Sequence, residues 1–115
     1  MNYSQGDLVF LKQPNTLPDG QVLKHPILIV SHNTANIAED FYTGVMMTSS
    51  NHKDKFSFQV DNTMFESPIE KEGCQLRLYI IFSFREADIH RLVSRIKKPH
   101  LKNLLIQIKE TVFVI

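Results

Sequence analysis

Apolar residues in the first two thirds of the chain come in short runs separated by turn-forming residues, the rhythm of β-strands rather than of helices. A first strand is expected over residues 7–12. Gln13-Pro14-Asn15 ends it, and with Pro18-Asp19-Gly20 marking a turn, residues 13–24 read as a loop crossing the surface. Pro26 opens a second strand over 27–31, where the unbroken Ile27-Leu28-Ile29-Val30 predicts burial on both faces. A polar segment, 33–40, leads to a third strand over 41–48. The fourth, over 56–60, alternates Phe56, Phe58 and Val60 inward against Ser57 and Gln59 outward. Residues 75–84, rich in Leu, Ile, Tyr and Phe, form the strongest strand pattern and are expected at the centre of the sheet.

The last third changes period. Residues 90–98 fit helical spacing through Ile89, Leu92, Val93 and Ile96 and alternation through Leu92, Ser94 and Ile96, and are read as a strand. Leu101, Leu104, Leu105, Ile108 and Val112 then recur at three and four residues behind Pro99, which suits a first helical position, so a one-faced helix is expected from Pro99 to about Glu110. No repeat or linker divides the 115 residues. The expected fold is a single β-rich α+β domain, a small, strongly bent antiparallel sheet with a C-terminal helix, and any active groove falls in the loops between strands.

Composition adds constraints. With 43% hydrophobic and 22% charged residues the chain has the means for a real core and needs neither metal nor disulfide to hold it. Lys plus Arg number 13 against 12 Asp plus Glu, a formal charge of +1, so bulk electrostatics does not announce a nucleic acid. Basic residues are denser late in the chain, where Arg85, Arg91, Arg95, Lys97, Lys98, Lys102 and Lys109 outnumber Glu86, Asp88 and Glu110, and are read as a solvated face. The single cysteine, Cys74, makes no internal disulfide and reads as a half-buried strand residue, which fits a reducing compartment. Residues 1–6 are polar, unlike a signal peptide, and the longest apolar run, 78–82, is far below the ~20 residues of a membrane helix. A soluble, cytoplasmic protein is expected.

Most familiar catalytic signatures are missing: no Gly-rich phosphate loop, Cys-x-x-Cys, HExxH or Gly-x-Ser-x-Gly. The 5 histidines, His25, His32, His52, His90 and His100, lack metal-ligand spacing, so neither metal nor cofactor is expected. What remains is a polar set at strand ends: Lys24 and His25 before the second strand, Thr48-Ser49-Ser50-Asn51 after the third, and Arg77 within the fifth. Taken singly each has an ordinary reading. The hydroxyls satisfy a turn's backbone, Arg77 lays its stem outward along the sheet, and His25 is a loop histidine.

In order and spacing, however, these segments resemble the MazF/PemK (Kid) toxins of bacterial toxin–antitoxin pairs over nearly the whole chain. Gly6-Asp7-Leu8-Val9-Phe10 is similar to that family's first strand, and Lys24-His25-Pro26-Ile27-Leu28-Ile29-Val30-Ser31 to its Arg-Pro-x-Leu-Val-Leu-Ser segment. Val45-Met46-Met47-Thr48-Ser49-Ser50 resembles its strand ending in Pro-x-Thr-Ser, and Gln75-Leu76-Arg77-Leu78-Tyr79 its Val-Arg-x-Asp stretch. The resemblance implies an SH3-like β-barrel that forms a homodimer, cleaves single-stranded RNA without a metal through a 2′,3′-cyclic phosphate, and is neutralised by a small acidic antitoxin protein. Carried onto this chain, it implies Thr48, Arg77 and His25 as the catalytic set, with Lys24, Ser49 and His52 contacting RNA.

Departures qualify that implication. His25 stands where many members have arginine, and an imidazole can move a proton but offers no bidentate fork. Tyr79 stands where the family has aspartate, removing a candidate base for which His52 is a substitute. Met46 replaces the proline before the threonine. The alternative is a barrel that keeps the fold and binds a protein or nucleic-acid segment without cleaving it. Base stacking on Phe10, Phe41, Tyr42 or Phe56 serves either reading, and each is also a candidate for the core.

Overall fold

The computed structural model of the protein describes residues 1–13, 15–16, 20, 22–69 and 73–115. Among the described residues eight strands form: β1 (Asp7–Leu11), β2 (Asn15–Thr16), β3 (Val22–Leu23), β4 (Ile27–Ile29), β5 (Tyr42–Thr48), β6 (Ser57–Gln59), β7 (Gln75–Phe84) and β8 (Ile89–Arg95). Helix α1 (Asn33–Glu39) separates β4 from β5, and α2 (Lys98–Thr111) follows β8. Six strands make one antiparallel sheet in the order β6-β7-β5-β4-β1-β8, which puts the strongly apolar β7 and the β4–β5 pair inside and the short, polar β6 at an edge. The sheet does not close into a barrel. Its bend comes from register shifts in the β1–β8 and β5–β7 pairs, and the bridge between Phe65 and Ile96 draws the connection after β6 towards the far edge.

The sheet buries residues on both faces. Leu8, Leu28, Val45, Met47, Leu76 and Leu78 pack on one side beneath Leu104 and Ile108 of α2, while Val9, Ile27, Ile29, Tyr42, Met46 and Phe84 cluster on the other. The unbroken apolar run of β4 has this cause, for Ile27, Leu28 and Ile29 are all fully buried. The terminal helix spends its three-and-four spacing on that first cluster, with Leu104 and Ile108 innermost and Leu101, Leu105 and Val112 beside them.

Two elements depart from the sequence reading. Residues 13–24 are not only a loop, because Asn15 pairs with Leu23 and Thr16 with Val22 in a two-stranded ribbon; the Pro14 and Pro18-Asp19 parts of the expected turns lie outside the described residues. The polar segment 33–40 contains α1, capped at its start by His32 Nδ1, which accepts from the Thr34 N–H at 3.1 Å, and ended by Asp40 with φ 57°. Its inward residue is Asn36, whose Nδ2 donates to the Ser31 carbonyl at 3.1 Å, so the face it buries carries no apolar period. Cys74 is buried and sits just before β7 rather than within it.

A charged pair ties β1 to the edge strand β8. Asp7, 1% exposed, accepts from Arg95 Nε at 2.6 Å and from the Ser4 N–H at 2.9 Å. Asp7→Ala is expected to cost about 2 kcal/mol, the scale of losing hydrogen bonds to a charged group. The loss stays below that of a fully buried pair because Arg95 is half-exposed and rehydrates. A urea titration checks this as a lower midpoint at unchanged slope.

Candidate active site

The site forms where the end of β5 lies against the start of β7. Met46 pairs with Arg77, Met47 with Leu76 and Thr48 with Gln75, whereas Val45 is already opposite Ile81. Residues 78–80 are therefore extra on β7, a bulge that bends the strand beside Arg77. Alternation puts Met46, Thr48, Gln75 and Arg77 on one face, with Arg77 a diagonal step from Thr48 across the pair.

Arg77 is not the outward-facing residue its ordinary reading implies. It is 7% exposed, and its guanidinium is gripped end-on by Asp54, with Nη1 donating to Oδ1 and Nη2 to Oδ2, each at 3.1 Å. Nη1 also donates to Ser57 Oγ at 2.7 Å and to Gln75 Oε1 at 3.2 Å, and Tyr79 lies beside the guanidinium with its ring centre 5.7 Å from Cζ. Among the described residues these bonds use the Nη1–Nη2 end of the fork, and a side-chain hydrogen bond with Tyr79 also favours the charged guanidinium.

The bond from Arg77, followed by that from the Phe56 N–H, holds the Asp54 carboxyl down at about 2. The same pairing raises the pKa of Arg77 against the effect of burial. An unfolded aspartate titrates near 3.9, so the pair is fully formed above about pH 4 and is lost only as pH falls towards 2. Asp54 therefore stays ionised wherever histidine titrates.

The segment 49–55 is shaped by its own hydroxyls and by two glutamines. Thr48 Oγ1 accepts from the Ser50 N–H at 3.3 Å and Ser50 Oγ from the His52 N–H at 3.2 Å. The ordinary turn role of the Thr-Ser-Ser run is thus realised as well. Gln75 Nε2 donates to the carbonyls of Ser50 and His52, and Gln107 Nε2 of α2 donates to those of Lys55 and Ser57 at 3.1 and 3.0 Å. His52 projects from this segment with its side chain 71% exposed and its Nε2 3.0 Å from Asp54 Oδ2.

On the other side of Thr48 lies a cavity of about 210 Å³ whose rim includes Lys24, His25, Thr48 and Ser49 and whose floor includes Leu8, Met47 and Cys74. It is smaller than the ~300–1,000 Å³ typical of small-molecule pockets, so it accepts one group of a longer chain rather than a whole ligand. Four of the six residues singled out in the sequence thus share this cavity. Arg77 and His52 do not line it and meet instead through Asp54, which, like Ser57 and Gln75, is singled out by no motif in the sequence. Only the position of Asp54 in the polar run after Thr48 hinted at it. Ser57, read as outward, bonds Arg77. Among the described residues no group of three or more His, Cys, Asp or Glu is arranged to hold a metal ion, and no helix is long and apolar enough to cross a membrane.

The fold is an open, bent antiparallel sheet with a terminal helix, and its candidate site, basic and hydroxyl-bearing, lies at the β5–β7 junction. Comparison with known families agrees, since the model of the PemK-like, MazF-like toxins of type II toxin–antitoxin systems matches residues 4–112. The chain belongs to that family. No curated protein sequence matches it. Among solved structures it resembles an endoribonuclease from a mycobacterial species with a TM-score of 0.73 at 11% identity, over 99% of this chain and 94% of that one. An endoribonuclease in complex with its cognate antitoxin, also mycobacterial, gives 0.73 at 11% identity over 98% and 97%. MazE–MazF from Deinococcus radiodurans gives 0.71 at 14% identity over the full length of both chains. At these identities the likeness is one of fold.

Proposed function

We propose that this toxin is a metal-independent endoribonuclease acting in the cytoplasm on single-stranded RNA, as a homodimer that a small acidic antitoxin silences. Family membership supports the toxin reading, and the likeness to endoribonucleases, one of them in complex with its antitoxin, supports the RNA substrate and the partner. The observation that carries the chemistry is Arg77 itself, anchored end-on by Asp54 and set a diagonal step from Thr48.

The ribose 2′-oxygen attacks the adjacent phosphorus, the bond to the 5′-oxygen breaks, and a 2′,3′-cyclic phosphate and a 5′-hydroxyl remain. Charge grows on the non-bridging oxygens as the phosphorane forms. A guanidinium edge pre-set by a carboxylate is a donor pair suited to them, with the Thr48 hydroxyl as a further donor. His25, on the cavity rim beside Thr48, transfers a proton. Lys24, Ser49 and His52 contact the RNA. The competing reading, a module of this fold that binds a protein or nucleic-acid segment without cutting it, draws on Tyr79 in place of the family's aspartate. The assay is cleavage of a mixed-sequence RNA in the presence of EDTA, with the ends of the products mapped. Cyclic-phosphate and 5′-hydroxyl ends are expected, and RNA that is bound but left intact would decide for the non-catalytic module.

A further inference from the structure

RNA cleavage by this route needs two proton transfers, one from the 2′-hydroxyl and one to the 5′-oxygen, and the cavity offers one imidazole, His25. The second is outside it. His52 is exposed at its ring yet held, because Nε2 faces Asp54 Oδ2 at 3.0 Å, and Asp54 is itself fixed by both Nη atoms of Arg77 and by the Phe56 N–H at 2.8 Å. The His52 backbone is tied down as well, through the bond from Gln75 Nε2 to its carbonyl and the bond from its own N–H to Ser50 Oγ. A neutral imidazole whose Nε2–H is committed to a carboxylate presents a bare Nδ1 lone pair outward. A carboxylate fixed in this way orients a histidine base and stabilises the imidazolium it becomes.

We infer that His52 is the general base of this enzyme and that Asp54 is its positioning residue, a role that rests on the RNA-cleavage reading above. His52 Nδ1 takes the 2′-hydroxyl proton as the 2′-oxygen bonds to phosphorus. The bond from phosphorus to the 5′-oxygen breaks, and that oxygen takes a proton from the imidazolium of His25. Solvent then returns one proton and removes the other. His25 lines the cavity that Thr48 also lines, and His52 is linked to Arg77 through Asp54, so each imidazole is tied to one of the groups assigned to the phosphate. The charged groups around His52 are Asp54 on its own segment and Arg77 from β7, with Lys53 and Lys55 beside it in sequence. Asp54 does not titrate between about pH 5 and 8, so limbs in that window belong to imidazoles.

The experiment is the pH dependence of kcat and KM on a single-stranded RNA for wild type, His52→Gln and Asp54→Asn. His52→Gln is expected to lower kcat by about 100-fold or more, with KM within about threefold and the rising limb of the profile gone. Asp54→Asn should keep that limb while lowering kcat about tenfold, the mark of a base that is present but poorly held. A His52→Gln profile that keeps its limb, whether kcat is unchanged or only KM has risen, overturns the assignment and leaves His52 an RNA contact. A wild type that does not cut RNA at all removes the RNA-cleavage reading and this inference together, an outcome separate from the first.

Discussion

Arg77→Ala is expected to slow RNA cleavage by about two orders of magnitude or more, the scale of removing one donor from a developing oxyanion. The loss should fall on kcat, because the guanidinium edge meets most of its charge only when the phosphorane forms. Arg77→Lys is expected to recover little. An ammonium keeps the charge but cannot hold Asp54 in two parallel bonds while meeting a phosphate. The fold should survive, since Asp54 is a third exposed and regains water once its partner is gone. Single-turnover cleavage with enzyme in excess separates this from weakened binding, and a rate within threefold of wild type would remove Arg77 from the chemistry.

Gly44→Ala should be the most damaging small substitution in the sheet. Gly44 pairs with Ile29 in the β4–β5 ladder, and an added Cβ would sit 2.5 Å from Ile27 Cγ2 and 2.6 Å from the Leu28 carbonyl oxygen. A flexible side chain could yield, but the Leu28 backbone lies in a central strand buried on both faces and cannot retreat without disturbing two ladders. A cost of about 3 kcal/mol follows from overpacking of this kind. It corresponds to a melting temperature lower by roughly 10 °C for a domain of this size. Calorimetry on the purified variant reads it directly, and a shift under about 2 °C would mean that the β4–β5 pair is more pliant than its burial implies.

Much of the architecture could be read from apolar spacing, because most elements bury apolar side chains. β4 and α2 carry their burial in Ile and Leu, and β7 adds Leu76, Leu78 and Phe84 to its buried Gln75 and Arg77, so their runs and periods survive in the linear order. Helix α1 does not, since its one inward residue, Asn36, is held by hydrogen bonds to Ser31 rather than by apolar contact, which leaves no stripe to detect. The β2–β3 ribbon was hidden for a different reason, as two-residue strands are too short for any alternation to register. At the site, Thr48, Ser49, Lys24 and His25 were legible through their order along the chain and do share a cavity. Asp54 was not, because its importance lies in meeting a residue 23 positions away on another strand. The same carboxylate explains why Arg77 is buried where a lone strand arginine would turn its head to solvent.

Gln107 donates to the carbonyls of Lys55 and Ser57, so the segment that carries Asp54 and His52 is fastened from a helix more than forty residues away along the chain. On the RNA-cleavage reading, α2 is therefore part of the frame of the site as well as a lid on the core, and loosening its dock would slacken His52 and Asp54 from a distance.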